Sequence, residues 1–155
     1  MAARPDGQRG STLLLFPAAL LIMLAMAAVT VDSAIAFMAQ RQLVNATAAA
    51  ANDAATQGLS DRAFYEGDRI ELTQSEVESV AVDRVFQLVD PARHHGLTVT
   101  AQASAPAGVG CSWTVRVSAS SRVDELFGRA MPGSSGQVAV HAQSTASPRQ
   151  ADGGC

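Results

Sequence analysis

Two adjacent histidines, His94 and His95, two cysteines, Cys111 and Cys155, and the glycines of Gly108-Val109-Gly110 are the residues whose types could do chemistry. A metal ion would ask the histidines for further ligands at helix or hairpin spacing, and none stands close in sequence. The Gly-Val-Gly stretch has no third glycine, no Lys-Ser/Thr pair and no strand-to-helix setting, so it reads as a turn rather than a phosphate loop. Ser, His and Asp are all present, but no Gly-x-Ser-x-Gly frames a nucleophile. Cys111 and Cys155 stand 44 positions apart and form no Cys-x-x-Cys pair, which excludes thioredoxin-like and zinc motifs. Two alternatives remain for them. A disulfide would tie the tail STASPRQADGGC back to the sheet and contribute ~4 kcal/mol by loop closure; otherwise Cys111 is buried beside Trp113 and Cys155 is a loose thiol. The expectation is a protein with no catalytic residue, metal, cofactor or small-molecule substrate.

The elements that must carry these residues begin with an apolar run. Gly10 to Val31 is 22 residues without a charge, and as a helix at ~1.5 Å per residue it reaches across a hydrocarbon layer of ~30 Å. That length favours a retained anchor over a secretory signal, whose apolar region is ~7–15 residues. Ala25-Met26-Ala27 and Ala34-Ile35-Ala36 nevertheless offer cleavage sites, and a buried core helix is a third alternative. Arg4 and Arg9 flank the run on one side and Asp32 on the other, so the amino terminus is expected in the cytoplasm and the remainder outside it. Asp32 itself reads as a solvated residue at the membrane edge. All eleven basic residues are Arg, and the segment from Asp32 onward carries nine of them against thirteen acids, about −4. That sign is the opposite of a nucleic-acid binder's, and no nucleic-acid partner is expected.

Beyond Asp32 neither Pro nor Gly occurs until Gly58, and the segment is rich in Ala, so the helix is expected to continue to Gln57 with Gly58 as its C′ residue. Ala36, Ala39, Leu43, Ala46, Ala50 and Ala54 recur every three or four positions and make a stripe of small residues for close helix packing. Either the chain's own outer domain or neighbouring subunits could fill that stripe.

Arg9-Gly10, the apolar run, Val31-Asp32, Arg41, Leu43 and the segment AAAANDAA, Ala48 to Ala55, together resemble the amino-terminal region of the TadE/TadG-like proteins of the tight-adherence (Flp) pilus assembly system. The resemblance covers residues 1–57. It implies a minor pilin or pseudopilin-like membrane subunit that works beside a secretion ATPase and membrane platform, with the bilayer and other apparatus subunits as partners and no chemistry of its own. Some relatives are cut after a Gly at the cytoplasmic face, which would here fall between Gly10 and Ser11. Those relatives also carry a Glu five residues into the mature chain, where this chain has Leu15. An uncut or accessory subunit is therefore expected rather than a major pilin; the competing expectation is a small binding domain released by signal peptidase.

After Gly58, Ser60 can cap a short turn, and Thr73 or Ser75 can open a second helix with Val77, Val80, Ala81, Val85, Leu88 and Val89 on one face, ended by Pro91. The period then changes to two. GLTVTAQA and CSWTVRVSA alternate apolar and polar residues, and so does QVAVHAQS. Between the last two, Val123, Leu126, Phe127, Ala130 and Met131 suggest a short helix opened by Ser121. The expected fold is α+β and pilin-like. A cytoplasmic flank (1–9) and a membrane helix (10–31) lead into a helical continuation (32–58), a domain with one helix and a three-stranded antiparallel sheet (59–144), and a flexible tail (145–155).

Overall fold

A computed structural model describes residues 11–58, 72–105, 113–130 and 133–148. Its chain order is α1 (Ser11–Gln57), α2 (Gln74–Leu88), β1 (His95–Ser104), β2 (Thr114–Asp124), a 3-10 turn (Gly128–Ala130) and β3 (Gln137–Ala146). The α+β layout expected from the sequence is present: a long apolar helix, a second helix and a three-stranded antiparallel sheet in the order β1-β2-β3.

α1 is a single helix of 47 residues, ~70 Å long. Pro17 lies inside it, close enough to the start that one missing N–H does not break the rod. Its two halves meet different surroundings. Leu20, Leu21, Ile22, Met23, Leu24 and Met26 are all more than half exposed, whereas Leu43, Ala46, Ala50, Ala51, Ala54 and Ala55 are buried. The helix is long and apolar enough to cross a membrane, and only 6% of its apolar stretch is buried within the fold. The described fold leaves that first half of α1 uncovered.

Alanines on the second half of α1 leave room for both α2 and the sheet to come close. α1 packs on α2, β2 and β3, and α2 closes the layer over β1. Val77, Ala81, Val85 and Val89 supply the facing side from α2 and its end. From the sheet come Ala101, Val115, Val117, Ala119, Val123, Val140 and Ala142. β2 runs in the middle, paired with β1 through Ala101↔Val117 and Ala103↔Val115, and with β3 through Ala119↔Ala142 and Val123↔Val138. Its opposite face, with Arg116, Ser120 and Arg122, is exposed, as a one-sided antiparallel sheet requires.

Two glutamine side chains occupy the sheet's edges. Gln74 Nε2 donates to the Ala101 carbonyl while its Oε1 accepts from Ala103 N, each at 2.8 Å. Gln40 does the same for β3, donating to the His141 carbonyl at 2.5 Å and accepting from His141 N at 3.2 Å. Each amide stands in for a neighbouring strand, and an edge so occupied is poorly available for pairing with another chain.

Several expectations change. Ser121 does not open a helix: β2 runs on to Asp124, because Ser121 and Val123 continue the inward alternation and the strand is paired on both sides. Only a 3-10 turn follows, and Leu126 and Phe127 are exposed rather than core. Leu88, expected on the buried face of α2, is 39% exposed, and Thr73 occupies the N-cap without a side-chain cap bond. Gly58 is not left-handed. It is required for space instead: a Cβ there would stand 2.5 Å from the Ala54 carbonyl oxygen and 2.6 Å from Val77 Cγ2. Thr145 and Ala146, placed in the tail, complete β3, and the domain's core begins in α1 rather than at residue 59. The turn expected after Ser60 lies outside the described residues.

These contacts set expected costs. Leu43→Ala, at a position with no exposure, should lower stability by about 2–5 kcal/mol through the cavity it leaves. Gly58→Ala should cost about 1–3 kcal/mol through overpacking, and Asn52→Ala on the exposed side of α1 should stay within about 0.5 kcal/mol. Thermal unfolding of the full chain in detergent, followed by Trp113 fluorescence, checks all three; an unchanged midpoint for Leu43→Ala would contradict the packing described.

Candidate functional site

The site worth building is the end of the domain where the exposed apolar half of α1 meets the fold. Asp32 stands there, one residue past the uncharged run, and it is not the solvated residue the sequence suggested. It is 8% exposed, and its carboxylate accepts from two consecutive amides: Leu126 N at 2.8 Å and Phe127 N at 3.1 Å to Oδ1. Those N–H groups are spare because the chain has just left β2 and not yet closed its 3-10 turn, in which Ala130 N donates to the Phe127 carbonyl. A carboxylate receiving backbone donors makes a short, charge-assisted clamp. Nearby hydroxyls are satisfied within the helix itself, Thr30 Oγ1 donating to the Met26 carbonyl at 2.8 Å and Ser33 Oγ to that of Val29 at 2.7 Å.

Above the clamp, a cleft of about 390 Å³ lies between α1, the turn after α2 and the end of β2, with Met38, Arg93, His94, His95 and Asp124 on its walls. His94 is buried, and its Nδ1 lies 2.8 Å from Ser121 Oγ in a buried hydrogen bond. Nε2 of the same ring is buried without a partner. Burial pushes the His94 pKa below the ordinary histidine value; Asp90 opposes that shift and the charges of Arg93 and His95 assist it. His95 Nε2 is 3.2 Å from Asp124 Oδ2. Asp124 also accepts from Gln137 Nε2 at 2.8 Å and pairs with Arg129 at 2.9 Å. The Gln137 hydrogen bond leads the causes that hold the Asp124 carboxyl below its usual value, with His95 and Arg129 adding to it.

A serine bonded to a histidine invites a nucleophilic reading, and the geometry argues against it. Ser121 is 5% exposed in the central strand, and His94 Nε2 meets no carboxylate that would orient the ring for proton transfer. The pair instead fastens the turn after α2 to β2. Among the described residues no three or more His, Cys, Asp or Glu come together as a metal set. Sequence reasoning missed both the His94–Ser121 bond and the Asp32 clamp. Extending the inward alternation from Ala119 through Ser121 to Val123 was the one signal that could have located Ser121; nothing local pairs Asp32 with a loop 94 positions away.

Of the residues singled out from the sequence, Ala39, Leu43, Ala46 and Ala50 face the chain's own α2 and sheet, and Ala36 is half-buried at the lower end of the same stripe. From Ala39 to Ala50 the stripe is thus covered by the chain's own α2 and sheet. Ser11 is the first residue of α1. Arg4, Arg9, Gly10, Cys111 and Cys155 lie outside the described residues.

No family model matches the chain, and no curated protein or solved structure matches it either.

Two outcomes are expected. Asp32→Ala should leave the Leu126 and Phe127 amides without their acceptor and cost about 1–3 kcal/mol; Asp32→Asn, which keeps one oxygen, should cost less, and amide hydrogen exchange at Leu126 and Phe127 reads the difference. The pH effect follows from the lowered His94 pKa. Because the unfolded chain binds that proton more readily, stability is complete above the ordinary value of ~6.5 and falls as pH drops through it toward the folded value. His94→Gln should flatten that decline in melts run between pH 8 and 5, and an equal decline in both proteins would refute the assignment.

Proposed function

We propose that this chain is a single-pass membrane protein with its amino terminus in the cytoplasm and its α+β domain outside, acting as a non-catalytic accessory subunit of a Flp/Tad-type pilus assembly or secretion apparatus. The observation that carries the anchoring part is the division of α1. One uninterrupted helix exposes Leu, Ile, Met and Phe side chains along its first half and builds the domain's core with its second. A bare apolar helix of that length is stable in lipid and costly in water. The accessory role is supported by the TadE/TadG-like residues from Arg9 to Ala55, and the structural role by the hydrogen bonds that engage His94 with the buried Ser121 and His95 with Asp124.

The competing fate, release by signal peptidase, meets a specific obstacle at one of its two sites. A cut after Ala36 would remove Asp32 and with it the acceptor for the Leu126 and Phe127 amides. A cut after Ala27 would leave Asp32 in place, so that site remains compatible with the fold.

Intact mass of the mature protein from separated membrane and medium fractions tests the proposal. Membrane-bound protein starting at Met1 is expected. A start at Ser11 in membranes would mean prepilin-type processing and keep the assembly role, whereas a start at Ala28 or Phe37 in the medium would overturn the anchor. Crosslinking in native membranes should then recover the chain with other apparatus subunits, and recovery of the monomer alone would sink the accessory role.

A further inference from the structure

A second apolar surface lies just past the uncharged run, and the anchor alone does not account for it. In the turn after β2, Leu126 is 65% and Phe127 42% exposed, and on α1 Phe37 is 66% and Met38 62% exposed. Phe37 projects from the side of α1 that the domain leaves open and Met38 from its flank at the mouth of the cleft, since Asp32, Ala39 and Leu43 occupy the side turned to the fold.

Their heights along the helix are fixed by the structure. The Asp32 carboxylate holds the amides of Leu126 and Phe127 at 2.8 and 3.1 Å, so that turn sits level with Asp32. Phe37 and Met38 come five and six residues later, ~8–9 Å further along the axis. If the hydrocarbon ends near Val31, the headgroup layer fills the next ~5–8 Å. The turn thus falls at the acyl boundary and the Phe37–Met38 pair at the outer edge of the headgroups. Aromatic and large aliphatic side chains gain from burial at this depth, where an apolar body meets a polar surround.

We propose that this end of the domain is a lipid-binding surface, seated in the headgroup layer of a phospholipid bilayer with Leu126 and Phe127 inserted at the acyl boundary. The proposal rests on the anchored reading of α1. The clamp makes the insertion affordable for a loop: backbone N–H groups entering a poorly hydrated layer need partners, and Asp32 supplies one for both amides of the inserted pair. Thr30 and Ser33, on the helix at the same depth, likewise send their hydroxyls back to helix carbonyls rather than to water. The apolar turn is continuous with the span, because its own backbone is bonded to the residue that closes the uncharged run. With a helix and a loop both held in the interface, the rod and the domain built around it are fixed together in tilt.

Depth-dependent fluorescence quenching of the full chain in phosphatidylcholine vesicles tests this. In a Trp113→Phe background, Leu126→Trp reports on the turn and Leu21→Trp on the span; both native side chains are more than 60% exposed, so neither substitution disturbs packing. The span probe should be quenched most by lipid brominated at mid-chain. The turn probe should be quenched most by lipid brominated close to the headgroup, the reverse order. A quenched span with an unquenched turn would overturn the lipid-binding surface while leaving the anchor intact, and would mean that the turn faces water or a protein neighbour. Quenching of neither probe would overturn both.

Discussion

One unbroken helix has to satisfy two environments, and most of the remaining structure follows from how it does so. The first half of α1 offers large apolar side chains to its surroundings; the second offers alanines, whose small volume allows α2 and the sheet to approach from two sides at once. Neither half could be exchanged for the other. Leucines in place of Ala46, Ala50 and Ala54 would hold α2 and β2 apart, and alanines in place of Leu20 to Leu24 would weaken partition into lipid. Because no loop separates the halves, any displacement of the first half is carried into the domain's core through the rod itself. The domain is built around the helix rather than attached to its end.

Polar groups complete the boundary of that core by substituting for missing backbone partners. Gln74 and Gln40 act as short strand mimics at the outer edges of β1 and β3, and Asp32 acts as acceptor for a turn that has left its strand. His94 and Ser121 satisfy one another where the end of α2 crosses the central strand. Each of these contacts joins residues far apart in sequence, and those of Asp32 and of His94 with Ser121 remove a cost that an unpaired buried group would otherwise impose. A small three-stranded sheet covered on one face by two helices has little apolar area to spare, so such contacts account for much of its definition.

Features governed by local periodicity were legible in the sequence, and those governed by distant partners were not. The absence of Gly and Pro between Pro17 and Gly58 gave the length of α1, and alternation in GLTVTAQA, the segment around Trp113 and QVAVHAQS gave all three strands. The helix expected after Ser121 failed because Val123, Leu126 and Phe127 fit a helical spacing as well as a strand that ends in an apolar turn. Pairing of β2 with β1 and β3 settles the matter, and no single segment carries that information. Gly58 shows the same limit in miniature. Its place after a helix suggested a left-handed cap, but the reason for glycine is Val77, a residue of the next helix. Asp32 was correctly seen as the end of the uncharged run, while its role as a clamp depended on a loop that had been misread.

The way these surfaces are used narrows how such a chain can join an assembly. The alanine stripe, the usual candidate for close helix association, is already filled by α2 and the sheet, so a neighbouring subunit cannot bind there without unpacking the domain. Strand addition meets Gln74 on the backbone of Ala101 and Ala103 at one edge, and Gln40 on that of His141 at the other. Among the described residues, what remains includes the outward sides of α1 and α2, the polar face of the sheet, the Leu126–Phe127 turn and the apolar first half of α1. Of these, the last carries a run of large apolar side chains more than half exposed, and it would be confined to two dimensions if it lay in a bilayer. On the anchored reading proposed above, association within the membrane would require the least new order, and a domain whose base is held in the headgroup layer would present its polar sheet face at a constant height to whatever stands beside it.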